Sequence, residues 1–100
     1  MLDSFRKITQ FIKDMTFESF SADEKTQSAV IMQFQILGEL AKKVPQEIKD
    51  KIEIPWKQIA GLRDMVSHDY FSLEASSIWK TAKESAPEAE FKISEYVQEI

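Results

Sequence analysis

One short segment of the chain holds an arginine, a histidine and a tyrosine at close spacing. Arg63 is followed by Asp64, by the protein's one histidine at His68 and by Tyr70. An arginine can bind a phosphate through two parallel N–H donors, and a histidine can move a proton near neutral pH. Together these residue types favour attack on a phosphodiester, and no other segment offers a comparable set.

The spacing of these residues decides which of them can act together. On an ideal α-helix, Arg63 and Tyr70 lie roughly 20° apart, and Asp64 and His68 lie about 40° apart. We therefore expect Asp64 to orient the His68 ring and Arg63 to lie beside Tyr70. Arg63 and His68 are separated by about 140°, so they meet at one phosphate only if the helix ends loosely or a second copy contributes.

The chemistry of cleavage also favours two copies of the chain. Stepwise cleavage of a phosphodiester needs both an acid and a base, and one chain supplies one histidine, His68. A two-fold homodimer would bring two histidines and two arginines to one cleft. We therefore expect dimerisation through the helix that carries Arg63 to Tyr70.

Composition limits the fold and the type of site. The 100 residues are 43% hydrophobic and 30% charged, with two glycines and three prolines, which predicts one domain over residues 1–100 made of long helices. The chain has no cysteine, which excludes a disulfide scaffold, a thiol nucleophile and a zinc–thiolate site. We expect no cofactor, and with one histidine any metal site would have to be built from carboxylates.

Charge and hydropathy limit the partners. No run approaches the roughly 18 to 20 apolar residues of a membrane span, and no signal-peptide pattern opens the chain. We therefore expect a cytoplasmic protein without membrane contact. The net charge is −4, whereas a protein that follows duplex nucleic acid usually presents a basic face. Any contact with RNA is therefore expected to be local or supported by a partner.

Apolar periodicity predicts an all-α, antiparallel up-and-down bundle of four to five helices. A first helix carries an apolar stripe from Leu2 to Met15, and a capping box at Ser21–Glu24 opens a central helix that ends at Pro45. That helix is apolar on more than one side, so we expect it to be central in the bundle. Further along the chain, a single turn is expected within 46–54, and helices are expected to open at Pro55, at Ser72–Ala75 and at Pro87.

The motif and its surroundings resemble the HEPN superfamily and, within it, the HepT-like toxins. The resemblance rests on an arginine, four residues, a histidine, one residue and a tyrosine, with polar Asp64 directly after the arginine. It covers nearly the whole chain and includes the segments Gly38–Lys42, Ile54–Arg63 and His68–Phe71, together with Trp79. The resemblance implies a HEPN-like helical domain.

The resemblance also implies a function. The chain would be the toxin of a type VII-like toxin–antitoxin module and a metal-independent endoribonuclease, with Arg63 and His68 as catalytic residues and Asp64 and Tyr70 beside them. The antitoxin would be a nucleotidyltransferase of the MntA type, which is expected to modify Tyr70 with AMP. An alternative is a non-catalytic subunit that binds substrate or nucleotide for such an enzyme. A purely structural dimerisation module is a third interpretation.

Each candidate residue also has a purely structural interpretation. Arg63 can pair with Asp64 or with another surface acid. His68 can bind free carbonyls at a helix end, and Tyr70 can pack there with its hydroxyl in water. Glu39 lies on the central helix among apolar neighbours, so it either supports Arg63 from across the bundle or is an exposed helix residue.

Other prominent side chains are more simply structural. Lys42 and Lys43 near the end of the central helix complement the helix dipole. Trp56 and Trp79 lie within apolar helical periodicity, which favours core or interface anchors over platforms for stacking RNA bases.

Overall fold

All regular secondary structure in the part of the chain that the structure describes is helical. This computed structural model describes the backbone of residues 1–69 and 74–99 and the side chains of residues 1–66 and 74–98. The helices are α1 (Leu2–Phe11), α2 (Phe17–Ser21), α3 (Glu24–Lys43), α4 (Gln46–Lys49), α5 (Trp56–Asp69), α6 (Ala75–Lys80) and α7 (Ala86–Glu99). No helix in these ranges is long and apolar enough to cross a membrane. Because all of these elements are helices, the prediction of an all-α bundle is confirmed.

Helices α3 and α5 form an antiparallel pair. Val44, directly after α3, and Trp56, the first residue of α5, line the same groove. Gly38, earlier on α3, contacts Arg63, later on α5. The connection between them contains the single-turn helix α4, as predicted, and is short enough to return the chain directly along α3.

Helices α1 and α7 form a second antiparallel pair. Met1 shares a groove with Val97 near the end of α7, whereas Thr9 Oγ1 donates a hydrogen bond of 3.3 Å to Glu90 Oε2, nearer its start. The two pairs enclose the apolar core, whose burial is the main source of stability. Its largest fully buried side chains are Ile8, Phe20, Val30, Phe34, Leu37 and Ile78.

Helix α3 begins with an aspartate cap and not with the predicted serine. Asp23 Oδ1 accepts a hydrogen bond of 3.0 Å from the backbone N–H of Thr26, and Asp23 Oδ2 accepts one of 2.6 Å from Thr26 Oγ1. The Thr26 side-chain hydrogen bond, followed by its backbone hydrogen bond, lowers the pKa of the Asp23 carboxyl. The prediction for Ser21 is wrong because α2 extends through Ser21, which leaves Asp23 beside the free amides of α3.

The last part of the chain forms one rod, although two separate helices were expected. Helix α6 continues through a π-helical segment, Thr81–Ser85, directly into α7, and Pro87 is the second residue of α7. The N–H of Ala86 donates to the carbonyl of Thr81, five residues earlier. In a regular α-helix a proline ring clashes with the carbonyl four residues before it. The wider π turn gives the ring room, so Pro87 does not begin a new helix.

One face of α3 remains uncovered. Met32, Ile36 and Leu40 are 55%, 36% and 36% exposed, and their four-residue spacing places them in one row. This face is left open because α1 and α5 pack against α3 elsewhere, and the side chains of α3 that are buried include Phe34 and Leu37. We call the row Met32–Ile36–Leu40 the α3 stripe.

Candidate active site around Arg63

The site begins with a close approach between two helix backbones. Gly38 is buried on α3 at the point where α5 passes. A Cβ atom at Gly38 would lie 2.6 Å from the backbone N of Arg63 and 2.7 Å from its Cβ. Carbon atoms in ordinary contact are about 3.5–4.0 Å apart. The missing side chain of Gly38 therefore allows Arg63 to lie directly against α3.

The residue after Gly38 binds the arginine. Glu39 Oε1 forms an ion pair with Arg63 Nε, and that nitrogen is shielded from solvent. Both side chains are nevertheless 43% exposed. The Nε edge of the guanidinium group is therefore directed at Glu39, while the side chain as a whole remains accessible to solvent.

A second pair of charges lies beside the first. Lys42 Nζ is 3.4 Å from Asp64 Oδ1, and the same oxygen lies 3.9 Å from Arg63 Nη1. The four residues Glu39, Lys42, Arg63 and Asp64 thus alternate acid and base across the α3–α5 contact. Lys42 was predicted only to complement the dipole of α3, and its contact with Asp64 depends on the packing of two helices, which α3 alone does not reveal.

The remaining predicted site residues lie at the end of α5. His68 belongs to α5, so its backbone continues the helix that presents Arg63, but its side chain lies outside the described residues, and Tyr70 does so entirely. The predicted contact between Asp64 and His68 and the position of Tyr70 beside Arg63 therefore remain predictions. The side chains that the structure describes contain no cluster of three or more metal-ligand residues.

The two tryptophans have contacts that fit a packing role. Trp56 Nε1 donates to the carbonyls of Lys49 and Ile52 at 3.2 and 2.9 Å, which links α5 to the α4 connection. Trp79 packs against the Phe20 ring, with centroids 5.2 Å apart. Both side chains lie against the core.

Fold and site together define the class of protein. A bundle of antiparallel helices that presents the Arg63-x4-His68 motif near the end of one long helix is the architecture of a HEPN domain. The family described as "Ribonuclease HepT-like" matches residues 1–96. The chain belongs to this HepT-like family.

Relatives with ribonuclease names support the assignment. A protein of Thermococcus cleftensis named "Probable ribonuclease HepT" is 40% identical over 86 residues, which cover 85% of this chain and 78% of that relative. A protein of Methanocaldococcus jannaschii named "Putative RNase MJ0127" is 36% identical over 101 residues, covering 100% of this chain and 84% of the relative. No solved structure matches the chain.

Proposed function

We propose that this chain is a metal-independent endoribonuclease that acts as a homodimer and serves as the toxin of a toxin–antitoxin module. The observation that carries the proposal is the geometry of Arg63. Its Nε is shielded from solvent and paired with Glu39, while the side chain as a whole stays 43% exposed. A guanidinium group held by its inner edge can offer its terminal N–H groups to a phosphate. Membership of the HepT-like family supports RNA as the source of that phosphate.

The proposed reaction uses His68 and Arg63 as catalytic residues. A ring nitrogen of His68 takes the proton of a ribose 2′-hydroxyl, and the 2′-oxygen forms a bond to the neighbouring phosphorus. The bond from phosphorus to the 5′-oxygen breaks, and the leaving oxygen takes a proton from His68 of the second copy. Arg63 stabilises the charge that develops on the phosphorane oxygens. The products are a 2′,3′-cyclic phosphate and a 5′-hydroxyl.

A second copy of the chain would complete this site. Arg63 and His68 lie about 140° apart around an ideal helix, so one α5 cannot direct both at the same phosphorus. The α3 stripe borders the site, since Ile36 lies three positions before Glu39, a spacing that makes two residues neighbours on a helix surface. We propose that a second copy covers this stripe, which extends the predicted α5 interface to α3 and brings both copies of Arg63 to one cleft.

The proposed antitoxin is a nucleotidyltransferase that transfers AMP to the hydroxyl of Tyr70. In this reaction the phenol oxygen forms a bond to the α-phosphorus of ATP, and pyrophosphate leaves. The added phosphate carries negative charge, which would repel RNA from a protein whose net charge is already −4. Tyr70→Phe removes the acceptor hydroxyl, so a partner that still silences this variant covalently would contradict the assignment.

Expression of the chain alone tests the toxin proposal. Growth should stop when the wild-type chain is produced without a partner, and Arg63→Ala or His68→Ala should relieve the arrest while the purified variants remain dimers. Arg6→Ala is the matched control, because Arg6 pairs with Glu90 on another face at 3.6 Å and should remain toxic. Full toxicity of both site variants would contradict the proposal.

The same experiment distinguishes the toxin from a second candidate function, a non-catalytic subunit that binds nucleotide for a nucleotidyltransferase. The net charge of −4 favours this alternative, because it weakens long-range attraction to RNA. A binding subunit should be harmless when expressed alone, and its nucleotide affinity should appear with the partner present and fall in Arg63→Ala.

A further inference from the structure

The two glycines of the chain differ in what surrounds them. A Cβ atom at Gly38 would approach the backbone N, Cβ and Cα of Arg63 to 2.6, 2.7 and 3.1 Å, whereas one at Gly61 would meet nothing within 4 Å. A glycine inside a helix makes the helix less stable than an alanine would. Gly38 therefore lowers the stability of α3 at the point where this helix contacts the proposed catalytic arginine.

An alanine at position 38 would change the distance between two helices. To restore an ordinary contact of about 3.5 Å from 2.6 Å, the backbone of α5 at Arg63 must move by about 1 Å. The clash involves backbone atoms, so rotation of a flexible side chain cannot relieve it. Arg63 would therefore move away from α3 together with its helix.

This movement would separate the ion pair that orients the guanidinium group. Glu39 follows Gly38 on α3 and stays with that helix, whereas Arg63 moves with α5. The Nε of Arg63 is shielded from solvent, so it would lose its acid partner and gain access to water. Its terminal amino groups would no longer be held in one orientation.

We propose that Gly38 is a positioning residue for Arg63: its missing side chain sets the α3–α5 distance at which Glu39 can hold Nε. The consequence for catalysis rests on the proposed ribonuclease function, but the consequence for the ion pair does not. A misplacement of about 1 Å is enough to slow catalysis about 100-fold.

Three variants test the proposal. Gly38→Ala changes the helix distance, and Gly61→Ala adds the same methyl group where there is space. Glu39→Asp leaves the helices in place but shortens the acid, so it separates the pair even if Gly38→Ala does not fold. Each dimer is measured by NMR of the Arg63 side-chain N–H, including its exchange with water, and by kcat and KM on a single-stranded RNA.

The expected results differ between the variants. Gly38→Ala and Glu39→Asp should shift the Arg63 Nε–H signal and speed its exchange with water, and kcat should fall about 100-fold for Gly38→Ala. Gly61→Ala should leave the Arg63 Nε–H signal, its exchange with water and kcat unchanged. A Gly38→Ala protein with the wild-type Nε–H signal and the wild-type kcat would overturn the proposal. If Gly38→Ala does not fold, a Glu39→Asp protein with the wild-type Nε–H signal and kcat would overturn it.

The NMR arm keeps this proposal separate from the ribonuclease function. If the Nε–H signal responds as expected but the wild-type dimer does not cleave RNA, Gly38 still positions Arg63 and the proposed function is wrong. If wild type cleaves RNA but neither Gly38→Ala nor Glu39→Asp alters the signal, the function stands and the positioning role is wrong.

Discussion

Glu39 and Arg63 lie on neighbouring antiparallel helices and meet at Nε, a guanidinium nitrogen that is shielded from solvent. Because each side chain is still 43% exposed, this ion pair contributes little to the free energy of unfolding. Its effect is on orientation, since it directs the Nε edge of a planar cation toward α3. A substitution at Glu39 can therefore change the orientation of Arg63 with little effect on the free energy of unfolding.

The first prediction concerns the charge of Glu39. Glu39→Gln keeps the shape of the side chain but removes the negative charge that holds Nε, so kcat for RNA cleavage should fall about tenfold, or about 1.4 kcal/mol in the barrier. The urea midpoint of unfolding should stay close to that of wild type. Glu47→Gln, on the exposed face of α4, is the control and should cleave normally. A normal kcat in Glu39→Gln would argue against an orienting role.

The second prediction concerns the shape of the cation at position 63. Lysine carries one ammonium group without a planar fork, so Arg63→Lys cannot pair with Glu39 through one nitrogen and present other nitrogens to a phosphate. Its kcat should fall about 100-fold, as for other losses of a transition-state donor. Arg6→Lys makes the same change at a residue that pairs with Glu90 and should have no effect. Wild-type activity in Arg63→Lys would mean that charge alone suffices.

The third prediction concerns the α3 stripe. Ile36→Glu places a charge in the proposed interface, where burial of an unpaired charge is costly. The dimer dissociation constant should rise at least about tenfold, with a parallel loss of RNA cleavage. Phe91→Glu is the matched control, since Phe91 is a 63% exposed apolar residue on α7, and the variant should remain dimeric. An Ile36→Glu protein that sediments as a wild-type dimer would exclude this interface.

The fourth prediction concerns the cap of α3. The Thr26 hydrogen bonds lower the pKa of Asp23, so this carboxylate stabilises the fold above its unfolded pKa of about 3.9. That contribution is lost as the pH falls below about 4 and through the folded pKa. Asp23→Asn can still cap the helix but cannot titrate there. Urea unfolding is measured from about pH 6 down to about pH 2, on both sides of the unfolded pKa. The free energy of unfolding should fall less with pH in Asp23→Asn than in wild type, and an equal decrease in the two proteins would contradict this.

Sequence reasoning predicted the helical bundle because its signals are local. Apolar spacing of three and four residues marks a helix face, and Pro45 and Pro55 bound a short connection whose effect on the backbone is steric. Pro87 has the same local signal but a different outcome, because the π segment at Thr81–Ser85 accommodates its ring. No pattern of apolar residues reports such a change in helical pitch.

The candidate site was only partly predictable, because its contacts cross between helices. The sequence suggested Glu39 as a support for Arg63, but the choice between that role and an exposed residue required the register of α3 against α5. Gly38 carried a usable signal, since a glycine within a helix often marks a close packing contact. The exposure of Ile36 had no such signal, because α3 is apolar on several sides.

The most direct test is cleavage of a defined single-stranded RNA by the purified protein in the presence of EDTA, with analysis of the ends of the products. We predict 2′,3′-cyclic phosphate and 5′-hydroxyl ends from the wild-type chain and from Arg6→Ala, and no products from dimeric Arg63→Ala or His68→Ala. Cleavage that requires a divalent metal, or that continues at the wild-type rate in either of the two site variants, would contradict this prediction.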